Sequence, residues 1–245
     1  DQYSSLTATE ISNFSAAQVS SFTTAGIATL SSTQIQAIPA GAVASLDLSA
    51  LTTDQINALT TKQISALSAT KINNLSATSL SALNGAAVGA ITTSVIASLS
   101  SDQISNLSTS QISALTSLQI QALTTAQVNA MHADQIASIS ASGVSALTTT
   151  QITGLTAAID LLAGLSTAQI PALSAANVAI LTADQLNALS TTQINSLSVT
   201  QAKALSGTQI TALTTENLVA LSSSAIANLS TSALSTISTT QLQYL

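Results

Sequence analysis

Residues 51–106 read LTTDQINA (51–58), LTTKQISA (59–66), LSATKINN (67–74), LSATSLSA (75–82), LNGAAVGA (83–90), ITTSVIAS (91–98) and LSSDQISN (99–106). This is one eight-residue phrase written seven times. It runs from a large apolar residue through two Ser/Thr-like positions and a variable one to Gln, then Ile or Val, a variable position and a small residue. Outward from here the same ruler gives five octads from Leu6 to Leu46, thirteen from Leu51 to Leu155 and ten from Leu165 to Leu245, 28 in all. Position one is Leu, Ile, Phe or Met throughout, and position six is Ile, Val or Leu except at Ala202. Position two is Ser or Thr except at Pro39, Asn84 and His132, and position five is Gln in 16 of the 28. The ruler slips twice, by a five-residue step at 46–50 and a ten-residue step at 155–164. Self-similarity at a fixed short period is the mark of a solenoid. One elongated repeat domain over residues 1–245 is expected, with register breaks near 46–51 and 155–165.

A continuous helix cannot carry this pattern, because eight residues advance about 800° and the Leu stripe would drift by about 80° per repeat. A continuous strand fails too, since positions one and six would face opposite sides. The chain must turn inside each octad. Ser or Thr at position two with Gln at position five is a capping box, and apolar positions one and six complete a hydrophobic staple. The acids agree. Asp1, Asp54, Asp102, Asp134, Asp184 and Glu216 stand at position four and Glu10 at position five, the first turn of the expected helix, where the helix dipole favours negative charge. The fold expected is therefore all-α, a solenoid of very short capped helices, one per octad. The alternative is a parallel β-solenoid with two short faces per octad. Pro171, at position seven of LSTAQIPA, resists the helical reading, because it removes an amide that a helix would use. No octad could fold alone, since a one-turn helix bears the cost of nucleation without propagation. Stability must come from stacking positions one and six into a continuous core.

Composition narrows function. Only 5% of residues are charged and 2% are aromatic, with a formal net charge of −6, against roughly 25% charged residues in ordinary domains. Lys62, Lys71 and Lys203 are the only basic residues, so nothing can neutralise a phosphate backbone, and nucleic acid is excluded as a partner. The same shortage argues against docking on an anionic membrane. Mean hydropathy is +0.50, yet no apolar run approaches the roughly 18 residues that a spanning helix needs, so membrane insertion is not expected. Zero cysteine leaves no disulfide framework and no thiol nucleophile, and fits an oxidising compartment.

Site chemistry is equally sparse. His132 has one neighbouring acid, Asp134, too few ligands for a metal, and reads as a substituted cap. The hydroxyls form nothing like a nucleophile elbow, and the dispersed acids make neither a carboxylate pair nor a calcium loop. No catalytic, cofactor-binding or metal-ligating residue is expected, and no cofactor. Asn13, Asn74, Asn106 and Asn228 each open an N-x-Ser pattern, but the repeat itself produces it, from Asn at position eight followed by the next apolar-Ser pair.

The octad LTTxQIxA, which covers the whole chain, resembles the Ser/Thr/Ala-rich tandem octapeptide-repeat arrays of long secreted or surface fibre- and adhesin-like bacterial proteins. That resemblance implies a stalk or shaft outside the cell, with ligand specificity residing in other domains, and no functional residues to carry over. The chain opens with Asp1-Gln2-Tyr3 in mid-octad and closes on Leu245 at position one, so an apolar layer is expected at each terminus. A contact between such layers does not close on itself and propagates. The expected partner is the chain itself, head to tail, or further repeats of a longer array. The expected function is a non-enzymatic structural shaft at the bacterial surface. The alternative is a module that binds glycan, ice or mineral through rows of Ser/Thr hydroxyls.

Overall fold

The octad LSTSQISA (107–114) shows in a computed structural model how one phrase folds. Ser108 is extended (φ −69°, ψ 159°), and its side chain accepts from the Gln111 amide. Gln111 returns its Oε1 to the Ser108 N–H at 2.8 Å. The capping box thus starts a helix over Thr109–Ser113. It holds little more than one turn: Ile112 donates to Ser108 at 2.9 Å, and Leu115 already closes back on Ile112 at 3.1 Å. Ala114, near φ −84° and ψ −10°, ends it, and the chain re-enters extended backbone at the next apolar residue. Among the described residues no residue, glycine included, has a positive φ. The reversal is made by an αR-to-extended step, so no octad position has to be glycine.

The structure describes residues 3–154 and 162–244. Within them the phrase repeats as short helices from Ala8–Ser12 to Thr239–Leu242, four to six residues each, and no strand occurs among the described residues. The fold is the short-helix solenoid, and the β-solenoid alternative falls away. Side chains sort as the octad requires. Leu107 and Ile112 are 4% and 0% exposed, Leu189 and Ile194 3% and 1%, while Ser108, Thr109 and Ser110 face solvent. Packing divides the chain into two compact units, Asp1–Leu123 and Thr124–Leu245.

Within the first unit, helix Ala8–Ser12 packs on Ser32–Ala37, Gly85–Gly89 on Thr109–Ser113, and Thr93–Ser98 on Ser117–Ala122. Within the second, Ala175–Ala179 packs on Val199–Ala204, and Thr191–Asn195 on Thr215–Ala220. Each coil therefore meets the one before it after three to four octads. Sequence periodicity alone could not supply that number.

The departures have local causes. At the first slip, Asp47 caps a 3-10 turn, Leu48–Ala50, accepting from the Ser49 N–H at 3.1 Å and the Ser49 hydroxyl at 2.6 Å. Leu46 and Leu48 both stay buried, so the shortened phrase still fills its layer. The second slip falls on residues 155–161, Asp160 included, and lies outside the described residues, as do Asp1, Gln2 and Leu245. At Pro171 the octad becomes a turn and a 3-10 helix, Ile170–Ala172, the tighter geometry available where an α-helical amide is missing.

Candidate functional site: an amide ladder beneath a hydroxyl surface

Position five, expected to close the cap, does a second job. Gln111 is 1% exposed and its Nε2 donates to the Leu83 carbonyl at 2.7 Å and to Leu80 at 2.9 Å. Leu83 lies 28 residues back, three and a half octads, which is the length of one coil. The same pair of bonds recurs from Gln119 to Ile91 and Val88. In the second unit it joins Gln193 to Leu165 and Leu162, Gln201 to Leu173 and Ile170, and Gln209 to Leu181 and Val178. The acceptors are carbonyls of positions six and one, left over where a short helix ends. One side chain thus satisfies an orphan donor at its own helix start and orphan acceptors on the coil below. Gln169 keeps both roles although Pro171 has replaced its helix: Oε1 accepts from the Ser166 N–H at 2.7 Å, and Nε2 donates to Ile139 at 2.6 Å.

Substitutes show what the ladder demands. Lys71 sends its Nζ to the Leu46 carbonyl at 2.7 Å, preserving the inter-coil donor while Ser68 caps the helix without the returned bond of a capping box. Asn177 is one methylene short. Its Nδ2 reaches Leu147 at 2.8 Å, but its buried Oδ1 finds no partner. Asn217 stretches to Leu186 and Leu189 at 3.4 Å each. A second, outer set of bonds comes from Asn at position seven, 25 residues in the other direction: Asn187 to Ala212 at 2.8 Å and Asn195 to Ala220 at 3.0 Å.

The outside is neutral and polar. A shallow concavity of about 320 Å³ is lined by Thr191, Thr192, Asn195 and Ala220. Another, of about 240 Å³, lies at the first slip beside Asp47, Ser49, Thr70, Lys71 and Asn74. Hydrogen bonds from the Ser49 hydroxyl and amide hold the Asp47 carboxyl below its ordinary range, with a smaller contribution from the Lys71 charge. His132 and Asp134 are both exposed, and His132 serves as an N-cap whose N–H is accepted by Gln135 at 2.9 Å. Among the described residues no three His, Cys, Asp or Glu side chains gather to hold a metal, and no helix is long and apolar enough to cross a membrane. The amides of Asn13, Asn106 and Asn228 turn back onto Thr9, Asp102 and Ser224 carbonyls, closing the ends of their own helices.

Fold and ladder together define the class: a tandem-repeat helical solenoid whose described octads mostly form one short capped helix each, with many coils joined by position-five amides. The sequence is similar to the ALTTAQ repeat, which matches at residues 41–77, 96–133 and 160–191. No curated protein sequence matches the chain.

Proposed function

We propose that the chain is a structural, non-enzymatic segment of an extracellular or cell-surface bacterial fibre, a shaft in which octad coils pass into further octad coils. The observation that carries this reading is where the polar side chains are spent. Position-two hydroxyls close their own helices and position-five amides join neighbouring coils, so chemistry that an enzyme would direct at a substrate is directed at the chain itself. The remaining surface, such as Thr109 and Ser110, is exposed and uncharged, which suits an inert spacer. The partner this chemistry fits is another octad coil, in a longer array or in a copy stacked head to tail. The absence of cysteine supports the extracellular placement.

Light scattering and electron microscopy of the purified chain at micromolar concentration test the assembly, and protease accessibility on intact producing cells tests the location. Concentration-dependent filaments and surface cleavage are the expected results. A persistent monomer that is protected inside intact cells overturns the reading. A second reading, a module binding glycan, ice or mineral, draws on the exposed hydroxyls at positions three and four. Glycan-array or ice-recrystallisation activity would favour it over the shaft.

A further inference from the structure

Coil 75–98 breaks the ladder. Its fifth positions are Ser79, Ala87 and Val95, and in the 28-residue register that joins Gln111 to Leu83 they stand over the carbonyls of Leu51, Leu59 and Leu67. Ala87 and Val95 have no donor to offer. The Ser79 hydroxyl is too short to cross, and it accepts from Ser76 within its own octad at 2.9 Å. The two coils do pack: Thr53–Ala58 meets Ala77–Ala82, Thr61–Ser65 meets Gly85–Gly89, and Ala69–Asn73 meets Thr93–Ser98. The contact between them is apolar, made with buried Leu80, Ala87, Val88 and Val95. Its polar links sit on the exposed rim, from Asn84 to the Asn57 carbonyl at 2.9 Å and from Asn73 to Ser98 at 3.3 Å. The seams on either side are stapled. Below, Gln55, Gln63 and Lys71 reach Leu30, Ile38 and Leu46. Above, Gln111 and Gln119 reach Leu83 and Ile91.

We infer that, within the unit Asp1–Leu123, the seam between residues 51–74 and 75–98 is a built-in compliant joint, a layer that parts while the stapled coils on both sides stay closed. Rim bonds in water contribute little against opening, whereas buried amide–carbonyl pairs must be broken without replacement while the coil is still dry. Opening any of these seams exposes apolar area to water at a similar cost per unit area, so the amide bonds are what distinguishes one seam from another. Local opening with its own free energy is the general behaviour of stacked repeats, and here the sequence assigns where it falls. The inference rests on coil geometry and holds whether or not the chain proves to be a fibre segment.

Hydrogen exchange of the intact chain, read peptide by peptide, tests it. Amides of 53–73 and 77–98 are expected to exchange at least about tenfold faster than those of 32–38 and 109–122. Ser79→Gln, alone and combined with Ala87→Gln, supplies the missing donors and is expected to bring 53–98 toward the flanking protection. Uniform protection across 32–122 in the natural chain overturns the inference, even if the double variant fails to fold. So does a folded Ser79→Gln/Ala87→Gln chain, verified by circular dichroism, whose exchange across 53–98 is unchanged.

Discussion

Gln111 donates its Nε2 to the Leu83 carbonyl at 2.7 Å across one full coil while its Oε1 closes the cap at Ser108. The two roles are separable by one substitution. Glu keeps the capping acceptor but removes the donor and sets a carboxylate against carbonyls at a site that is 1% exposed. Gln111→Glu is expected to cost about 2–4 kcal/mol at neutral pH. Burial raises the carboxyl's folded pKa above its unfolded value, so the loss shrinks on acidification, when the protonated acid can donate again. Denaturant titration at two pH values checks this. Gln18, an exposed position-five residue that makes the same box at Ser15, is the control, and Gln18→Glu is expected to change stability by only a few tenths of a kcal/mol.

Asn177 offers the reverse experiment. Its buried Oδ1 lacks a partner, and Ser174 lacks the returned bond that Gln gives elsewhere. Asn177→Gln lengthens the side chain to the repeat's own length and is expected to stabilise the chain by about 1 kcal/mol, the worth of one satisfied buried group. An increase in melting temperature is the expected reading. A decrease would mean that the layer around residue 177 has no room for the extra methylene.

Much of this was legible in the octad. Ser/Thr at position two, Gln at position five and the acids at position four name a helix start, and among the described residues they stand at one in octad after octad, the Pro171 octad excepted. The inter-coil role of position five leaves one signal in the sequence. Glu closes a capping box as well as Gln and suits the helix dipole better, yet Glu stands at position five once, at Glu10, against 16 Gln. That bias makes sense only if the amide must also donate. The coil length of three and a half octads left no trace in an eight-residue ruler, because it is set by how Leu and Ile stack between layers. Pro171 conflicts with a helical octad on its sequence alone. Its outcome, a 3-10 turn that keeps Gln169 in place, depends on neighbouring coils that one octad does not encode.

Leu107 tests the core. It is 4% exposed, and Leu107→Ala is expected to cost about 2–5 kcal/mol, the transfer term plus the cavity left behind. Because repeats couple mainly to their neighbours, the damage should be local. Hydrogen exchange is expected to quicken around 99–122, with residues 8–38 unchanged.

Glu10 supplies a pH dependence at the first described helix. Its carboxylate accepts from the Thr7 N–H at 2.7 Å and the Thr7 hydroxyl at 2.8 Å, and these bonds, the backbone one foremost, hold its pKa below the ordinary 4.5. A carboxyl whose folded pKa is depressed stabilises the fold fully above its unfolded value, and loses that contribution as pH falls through the folded one. Helix Ala8–Ser12 should therefore fray on acidification from about pH 5 downward, while octads capped by neutral Gln, such as Thr109–Ser113, are unaffected. Gln makes the same box without titrating, so Glu10→Gln is expected to remove the pH dependence and leave neutral-pH stability nearly unchanged. Amide chemical shifts of residues 7–13 followed through an acid titration give the reading. A helix that frays identically with Glu10→Gln in place would assign the acid sensitivity to another group.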